Sequence, residues 1–159
     1  MEYSVKILEG MRHRIIIDGH IHSQNSSGLK LPTKIFVDTG AFNTMIDIDI
    51  VQDFGVLLPM PFEVTIGSYK GIATGCILHE VSMGDFLVKR VFAMAYPFEG
   101  WLRGHMLLGL NVMNNWDYTI SRSNNIMRFV ENVPHDAPNK VSPYQNFFKN
   151  GKYVAVQDR

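Results

Sequence analysis

Residues 35–41 read Ile-Phe-Val-Asp-Thr-Gly-Ala, an apolar strand that stops on an acid and turns at a glycine. β-branched and aromatic side chains favour a pleated, half-buried strand, and glycine permits the tight reversal that follows. Such a strand end can hold the Asp38 carboxylate at the floor of a cleft, where its surroundings tune its ionisation. The tripeptide Asp38-Thr39-Gly40 occurs once, and no internal repeat supplies a second copy. Any chemistry that needs two such acids is therefore only half encoded here.

The rest of the chain reads as short strands punctuated by Gly, Asn and Pro. Strands are expected over 12–21, 32–38, 62–66, 72–78, 80–83, 86–96, 106–108, 118–120 and 126–130. Residues 47–54 suit one or two helical turns, with Asp47 as N-cap and Gly55 as stop, and 111–116 suit a second short helix. This is the pattern of an all-β protein, a closed or nearly closed β-fold with one or two short helices. After Glu131 the character changes, as Pro134, Pro138 and Pro143 interrupt a polar segment. The division expected is a domain over 1–131 and an extension over 132–159, with a late strand at 153–156.

Composition narrows the class of function. A chain of 159 residues builds one domain with a real core, and is too short for two comfortable ones. Lys plus Arg equals Asp plus Glu, 15 each, so no basic footprint points to nucleic acid or to an anionic membrane. No stretch approaches the ~20 apolar residues of a membrane span, and the amino terminus, with Glu2, Lys6 and Glu9, lacks a signal-peptide core. The lone Cys76 excludes an intramolecular disulfide and suits a reducing compartment. The expectation is a cytoplasmic protein without nucleic-acid or membrane partners.

Beyond Asp38-Thr39-Gly40-Ala41 come Thr44 and the apolar pair Met45-Ile46, then a glycine-flanked stretch, Gly67-Ser68-Tyr69-Lys70-Gly71. Leu107-Leu108-Gly109-Leu110-Asn111 follows, its glycine 71 residues beyond Asp38. In this order the set resembles the retropepsin-like aspartic proteases, including their single-domain bacterial members, over about residues 12–130. The resemblance implies a retropepsin-like fold with one active-site motif per chain. It implies that Asp38 is the catalytic carboxylate and that the Thr39 hydroxyl locks two active-site loops together. Gly40 would let substrate backbone approach, and Leu107, Leu108 and Gly109 would brace the Asp38 loop. Gly67, Ser68, Tyr69, Lys70 and Gly71 would form a flap over a substrate that also meets Ala41 and Phe42. Two positions depart from the family's habit: Phe42 stands where a small polar or acidic residue is common, and Asn111 stands where many members carry Asp.

The chemistry agrees with this reading. Aspartic proteolysis uses two carboxylates about 3 Å apart that share one proton, one activating water and the other donating to the carbonyl oxygen. With one copy per chain, Asp38 needs the Asp38 of a second chain, and a two-fold homodimer supplies it. The expected function is a homodimeric aspartic endopeptidase acting on peptide or protein substrates, with no metal and no organic cofactor. Apolar subsites are expected, drawing on Phe42 and Ile46. The alternative is a catalytically silent dimerisation or peptide-binding module on the same fold.

Two other constellations compete. Asp18-Gly19-His20-Ile21-His22 puts both histidines on one strand face, where they can share a metal. It looks like the opening motif of amidohydrolase barrels, but that fold takes about 250 residues and further ligands on later strands. A polar strand face followed by a turn is the simpler explanation. Cys76 as a nucleophile would need a positioned histidine; His79, three residues on, points to the opposite face of a strand, so a buried structural thiol is expected. Met83, Met94, Met106, Met113 and Met127 read as core filler.

Overall fold

The computed structural model describes residues 2–8, 15–23, 28–66, 68–84, 86–114, 116–131, 148–149 and 152–153. Twelve strands and two short helices are assigned within them: β1 (Glu2–Lys6), β2 (Ile15–His22), β3 (Lys30–Val37), β4 (Met45–Asp47), α1 (Ile48–Phe54), β5 (Gly55–Ile66), β6 (Tyr69–Met83) and β7 (Phe86–Tyr96), then β8 (Met106–Leu108), α2 (Leu110–Met113), β9 (Trp116–Ser121), β10 (Ile126–Glu131), β11 (Phe148–Lys149) and β12 (Lys152–Tyr153). The fold is all-β, as the punctuated apolar runs require.

Six strands close a barrel. The hydrogen-bonded order runs β2-β3-β8-β4-β7-β6 and returns to β2, where His20–His22 pair with Glu80–Ser82. Closure removes most free edges. It also buries the short strands: Ile17, Ile21, Ile35, Ile46, Leu78 and Met106 line one continuous core. All five methionines read as filler are buried. A three-stranded sheet, β1-β10-β9, packs on this barrel. The joint is aromatic, with Phe86 stacked on Phe129 and edge-on to Trp116, both at 4.6 Å between ring centres.

The β6–β7 ribbon is two-faced. Cys76, Leu78, Val91, Ala93 and Ala95 face the main core. Residues of the other parity, Ala73, Phe92 and Met94, face a second cluster with Met60 and Phe62 of β5. β5 reaches that position because its pairing with β6 shifts register between Leu57 and Pro61, which folds the strand over. β5 otherwise ends the sheet, with Pro59 and Pro61 in its middle.

Several expectations are sharpened or corrected by these elements. Asp47 caps α1 as read, its Oδ1 accepting from the Asp49 N–H at 3.1 Å. The second helix starts earlier and is shorter, Leu110–Met113. The hairpin expected as a five-residue glycine loop is tighter: β6 resumes at Tyr69, so Tyr69, Lys70 and Gly71 are strand residues and Ser68 is the turn. Gly67 lies outside the described residues, as does the Tyr69 side chain. Ile46, offered as a subsite residue, is fully buried in the barrel core and cannot touch a ligand. β1 went unread because its polar, alternating sequence carries little apolar signal. Of the extension, only β11 and its partner β12 are described, and residues 154–156 of the expected late strand lie outside. Among the described residues, no helix is long and apolar enough to cross a membrane.

Candidate active site

β3 delivers Asp38 to the rim of the barrel. It runs parallel to β8 in the register Ile35–Met106, Phe36–Leu107, Val37–Leu108, and the ladder continues one step further, the Asp38 N–H donating to the Leu108 carbonyl at 3.0 Å. The acid then closes a local turn. Its Oδ1 accepts from the Gly40 N–H at 2.9 Å and its carbonyl from the Ala41 N–H at 3.2 Å. Asp38 is half-buried, while Thr39 and Gly40 are exposed.

The loop is held from below by α2. The first turn of a helix has N–H groups with no partner of their own. Here the Leu110 N–H donates to the Ala41 carbonyl and the Asn111 N–H to the Phe42 carbonyl, each at 2.9 Å. Gly109 is the point of closest approach: a Cβ there would lie 2.4 Å from the Asn43 carbonyl carbon and 2.6 Å from its oxygen. No other residue fits against that backbone. The brace read as Leu107, Leu108 and Gly109 is thus bonded to the Asp38 loop. Leu108 is buried, whereas Leu107 is half-buried.

A buried polar network sits at the centre of this contact. The Asn111 Oδ1 accepts from both the Thr44 N–H and the Thr44 hydroxyl at 2.8 Å. The Thr44 Oγ1 in turn accepts from the Gly109 N–H at 3.1 Å, and the Asn111 Nδ2 donates to the Phe92 carbonyl at 2.9 Å. The Met94 N–H closes the set on the Thr44 carbonyl at 2.9 Å. Thr44 is fully buried and Asn111 nearly so, and every polar atom named has a partner, as buried groups require. Asn111, noticed in the sequence only as a replacement for Asp, is the hub. Its amide suits the position because it accepts and donates at once, which a carboxylate cannot do.

A second tie runs beside the first. The buried Asp47 takes the Gly104 N–H on Oδ2 at 2.6 Å, and its own N–H donates to the His105 carbonyl. His105 Nδ1 accepts from the Lys34 N–H at 3.0 Å, so this imidazole is neutral and carries its proton on Nε2. The ring thereby pins β3 to the residue that opens β8. Burial pushes the His105 pKa below its ordinary value, the Lys34 charge pushes the same way, and Asp47 opposes. Lys34 is itself ion-paired at the surface with Asp18. The unfolded chain takes the His105 proton more readily than the folded one, so the bond's stabilisation is full above the ordinary histidine range and declines as pH falls below about 6.5. Urea midpoints measured from pH 7 down to 5 should fall for the wild type and fall less for His105→Gln.

Of the other predicted residues, Ala41 is half-buried, while Phe42 is exposed and lies outside the core clusters. Ser68 is the turn of the hairpin, and Lys70 and Gly71 stand at the start of β6. Tyr96, whose ring lies against Gly71, and Met45, directly after Thr44, both pack on the second apolar cluster. His20 and His22 do share a face of β2, their rings 6.5 Å apart, with His22 Nε2 2.9 Å from the Ser82 hydroxyl. Among the described residues, no three His, Cys, Asp or Glu side chains are grouped to hold a metal. Cys76 is buried, and burial pushes its thiol up to about 12, against a smaller opposing effect of a backbone hydrogen bond with Ala93. A thiol so placed is not a nucleophile.

The closed barrel, with an acid on a strand end held by a glycine-anchored helix, has a retropepsin-like fold. The chain is similar to the crystal structure of a retropepsin-like aspartic protease from Rickettsia conorii, with a TM-score of 0.51 and 14% identity over 81% of this chain and 89% of that one. That likeness is one of fold. The solution structure of the simian foamy virus (mac) protease superposes more loosely, with a TM-score of 0.38 and 17% identity over 60% of this chain and 87% of that one, too loose to support an argument. No protein-family model matches the chain, and no curated protein matches it in sequence.

Proposed function

We propose that this chain is one half of a homodimeric aspartic endopeptidase. The observation that carries the reading is the Asp38 loop itself: a single acid held by Leu108, Gly40 and α2, with Thr39 and Gly40 left exposed beside it. An exposed threonine and glycine at a fixed acid suit a surface that meets its own copy across a two-fold axis. In the dimer the two Asp38 carboxylates face each other. One is ionised and takes a proton from water as the water attacks the scissile carbonyl; the other is protonated and donates to the carbonyl oxygen. The pair titrates as a unit. The protease domain spans 1–131, ending with β10 at Glu131, and 132–159 is a C-terminal extension.

Substrate lies extended between the loops and the hairpins, its backbone adding to strand edges and Phe42 supplying an apolar contact. Ala41, Ser68, Lys70 and Gly71 complete the binding surface. Sedimentation mass and hydrolysis of an unstructured polypeptide between about pH 4 and 7 test the proposal together. The expected result is a dimer that cleaves and is blocked by a statine-type transition-state mimic. A dimer that neither cleaves nor binds the mimic would leave the silent peptide-binding module as the function.

A further inference from the structure

Gly71 closes the glycine-flanked stretch expected to form the flap, yet it is a ladder residue, paired with Val64 of β5. Its missing side chain has another cause. A Cβ at this position would lie 2.7 Å from the Tyr96 hydroxyl oxygen, 2.8 Å from Cε2 and 3.1 Å from Cζ. Real Cβ contacts do not come so close, so the phenol ring occupies the space that a side chain would need. Four residues on, Gly75 repeats the arrangement: its Cβ would lie 3.1 Å from Phe62 Cε2 and 3.3 Å from Phe92 Cε2.

Gly71, Ala73 and Gly75 share one parity of β6 and so one face. Three aromatic rings lie against that face, from β5 and from β7. Phe62 and Phe92 meet edge to face at 6.0 Å between centres, and Tyr96 stands 6.0 Å from Phe98 beyond the end of β7. Tyr96 packs on the second apolar cluster together with Met45, and Met45 pairs in register with Met94 two residues before Tyr96. One packed path therefore runs from Met45 through Met94 to Tyr96 and the Gly71 notch.

We propose that Tyr96 is a positioning residue for the hairpin, its ring in the Gly71 notch setting the height at which the hairpin covers the Asp38 cleft. The inference rests on reading the hairpin as the cover of that cleft. Strand β6 is held against rings at both Gly75 and Gly71. A cover seated at a fixed height acts on substrate capture more than on the chemical step, so its loss appears in KM before kcat.

Ring and notch are one contact, and a double-mutant cycle isolates it. Gly71→Ala places a methyl group against the ring; Tyr96→Leu removes the ring and keeps an apolar filler; Tyr96→Phe keeps the ring without its hydroxyl. Amide hydrogen exchange over residues 62–74 in the full-length dimer reads the seat with no substrate present. Each of Gly71→Ala and Tyr96→Leu should speed exchange by about tenfold or more, with little further change in the double variant, and Tyr96→Phe should behave as wild type. With peptide substrate, the same two variants should raise KM by about tenfold while kcat moves less. Exchange unchanged in Tyr96→Leu, or effects of the two single variants that simply add, would overturn the assignment. Should Gly71→Ala not fold, the contrast between Tyr96→Leu and Tyr96→Phe decides it. Absence of peptide cleavage in the wild type defeats the peptidase reading alone, since the exchange measurement judges the seat independently.

Discussion

Asp38→Asn is expected to lower peptide hydrolysis by at least about 10³-fold while the dimer persists. The substitution is nearly isosteric, and the amide oxygen can still accept the Gly40 N–H that the Asp38 Oδ1 now holds at 2.9 Å. The main-chain bond from Asp38 to Leu108 does not involve the side chain. The loop therefore keeps its shape, and what is lost is the carboxylate that the proposed pair requires. Mixing gives a sharper form of the test. If each site takes one acid from each chain, an excess of Asp38→Asn subunits should silence wild-type subunits by forming mixed dimers. Activity that falls only in proportion to dilution would mean that each chain works alone, and the shared site would be refuted. Size-exclusion profiles of the variant and the wild type should coincide.

Gly109→Ala is expected to carry the largest cost to folding, on the order of 3 kcal/mol or more. The added methyl would meet backbone at 2.4, 2.6 and 2.8 Å, from Asn43 and Thr44, and backbone cannot rotate away as a flexible side chain can. Relief requires α2 to move off the loop, which breaks the bonds from Leu110 and Asn111 to Ala41 and Phe42 and the bond from Gly109 to Thr44. Buried polar atoms left without partners add about 1–3 kcal/mol each. Gly40→Ala is the control on the exposed side of the loop, because its nearest atom is the Asp38 Oδ1 at 3.3 Å. Urea unfolding should separate the two variants clearly. Equal losses would mean that the helix contact is not what fixes the loop.

What could be read from the chain follows from the range of the interactions. The strand before Asp38, the Asp47 cap and the Leu107-Leu108-Gly109 brace announce themselves through neighbouring residues, so the fold class and the candidate site were visible together. Asn111 was not, because its role lies in bonds to Thr44 and Phe92, 67 and 19 residues away. Gly71 looked like a loop residue because a glycine in a turn and one beneath an aromatic ring are identical in sequence; the ring comes from Tyr96, on another strand. Ile46 looked available because it follows the active loop closely, yet β4 lies between β8 and β7 in the barrel wall and its side chain points inward. Local chemistry marked the acid and its loop. Only closure of the barrel decided which neighbours face it.

The prolines in β5 divide a strand edge that has no second partner among the described residues into two parts of different sociability. β5 ends its sheet, and such an edge invites strand addition by any passing chain. Pro59 and Pro61 have no N–H to offer, and the register break between Leu57 and Pro61 interrupts any continuous ladder there. Beyond Pro61 the pairing with β6 is regular up to Ile66, so Glu63 and Thr65 share the outward parity of Pro61 and still carry N–H groups. Along the body of the edge the prolines and the register break oppose strand addition, while near the hairpin tip the edge keeps its N–H groups. One strand of twelve residues thus carries two edges of opposite character.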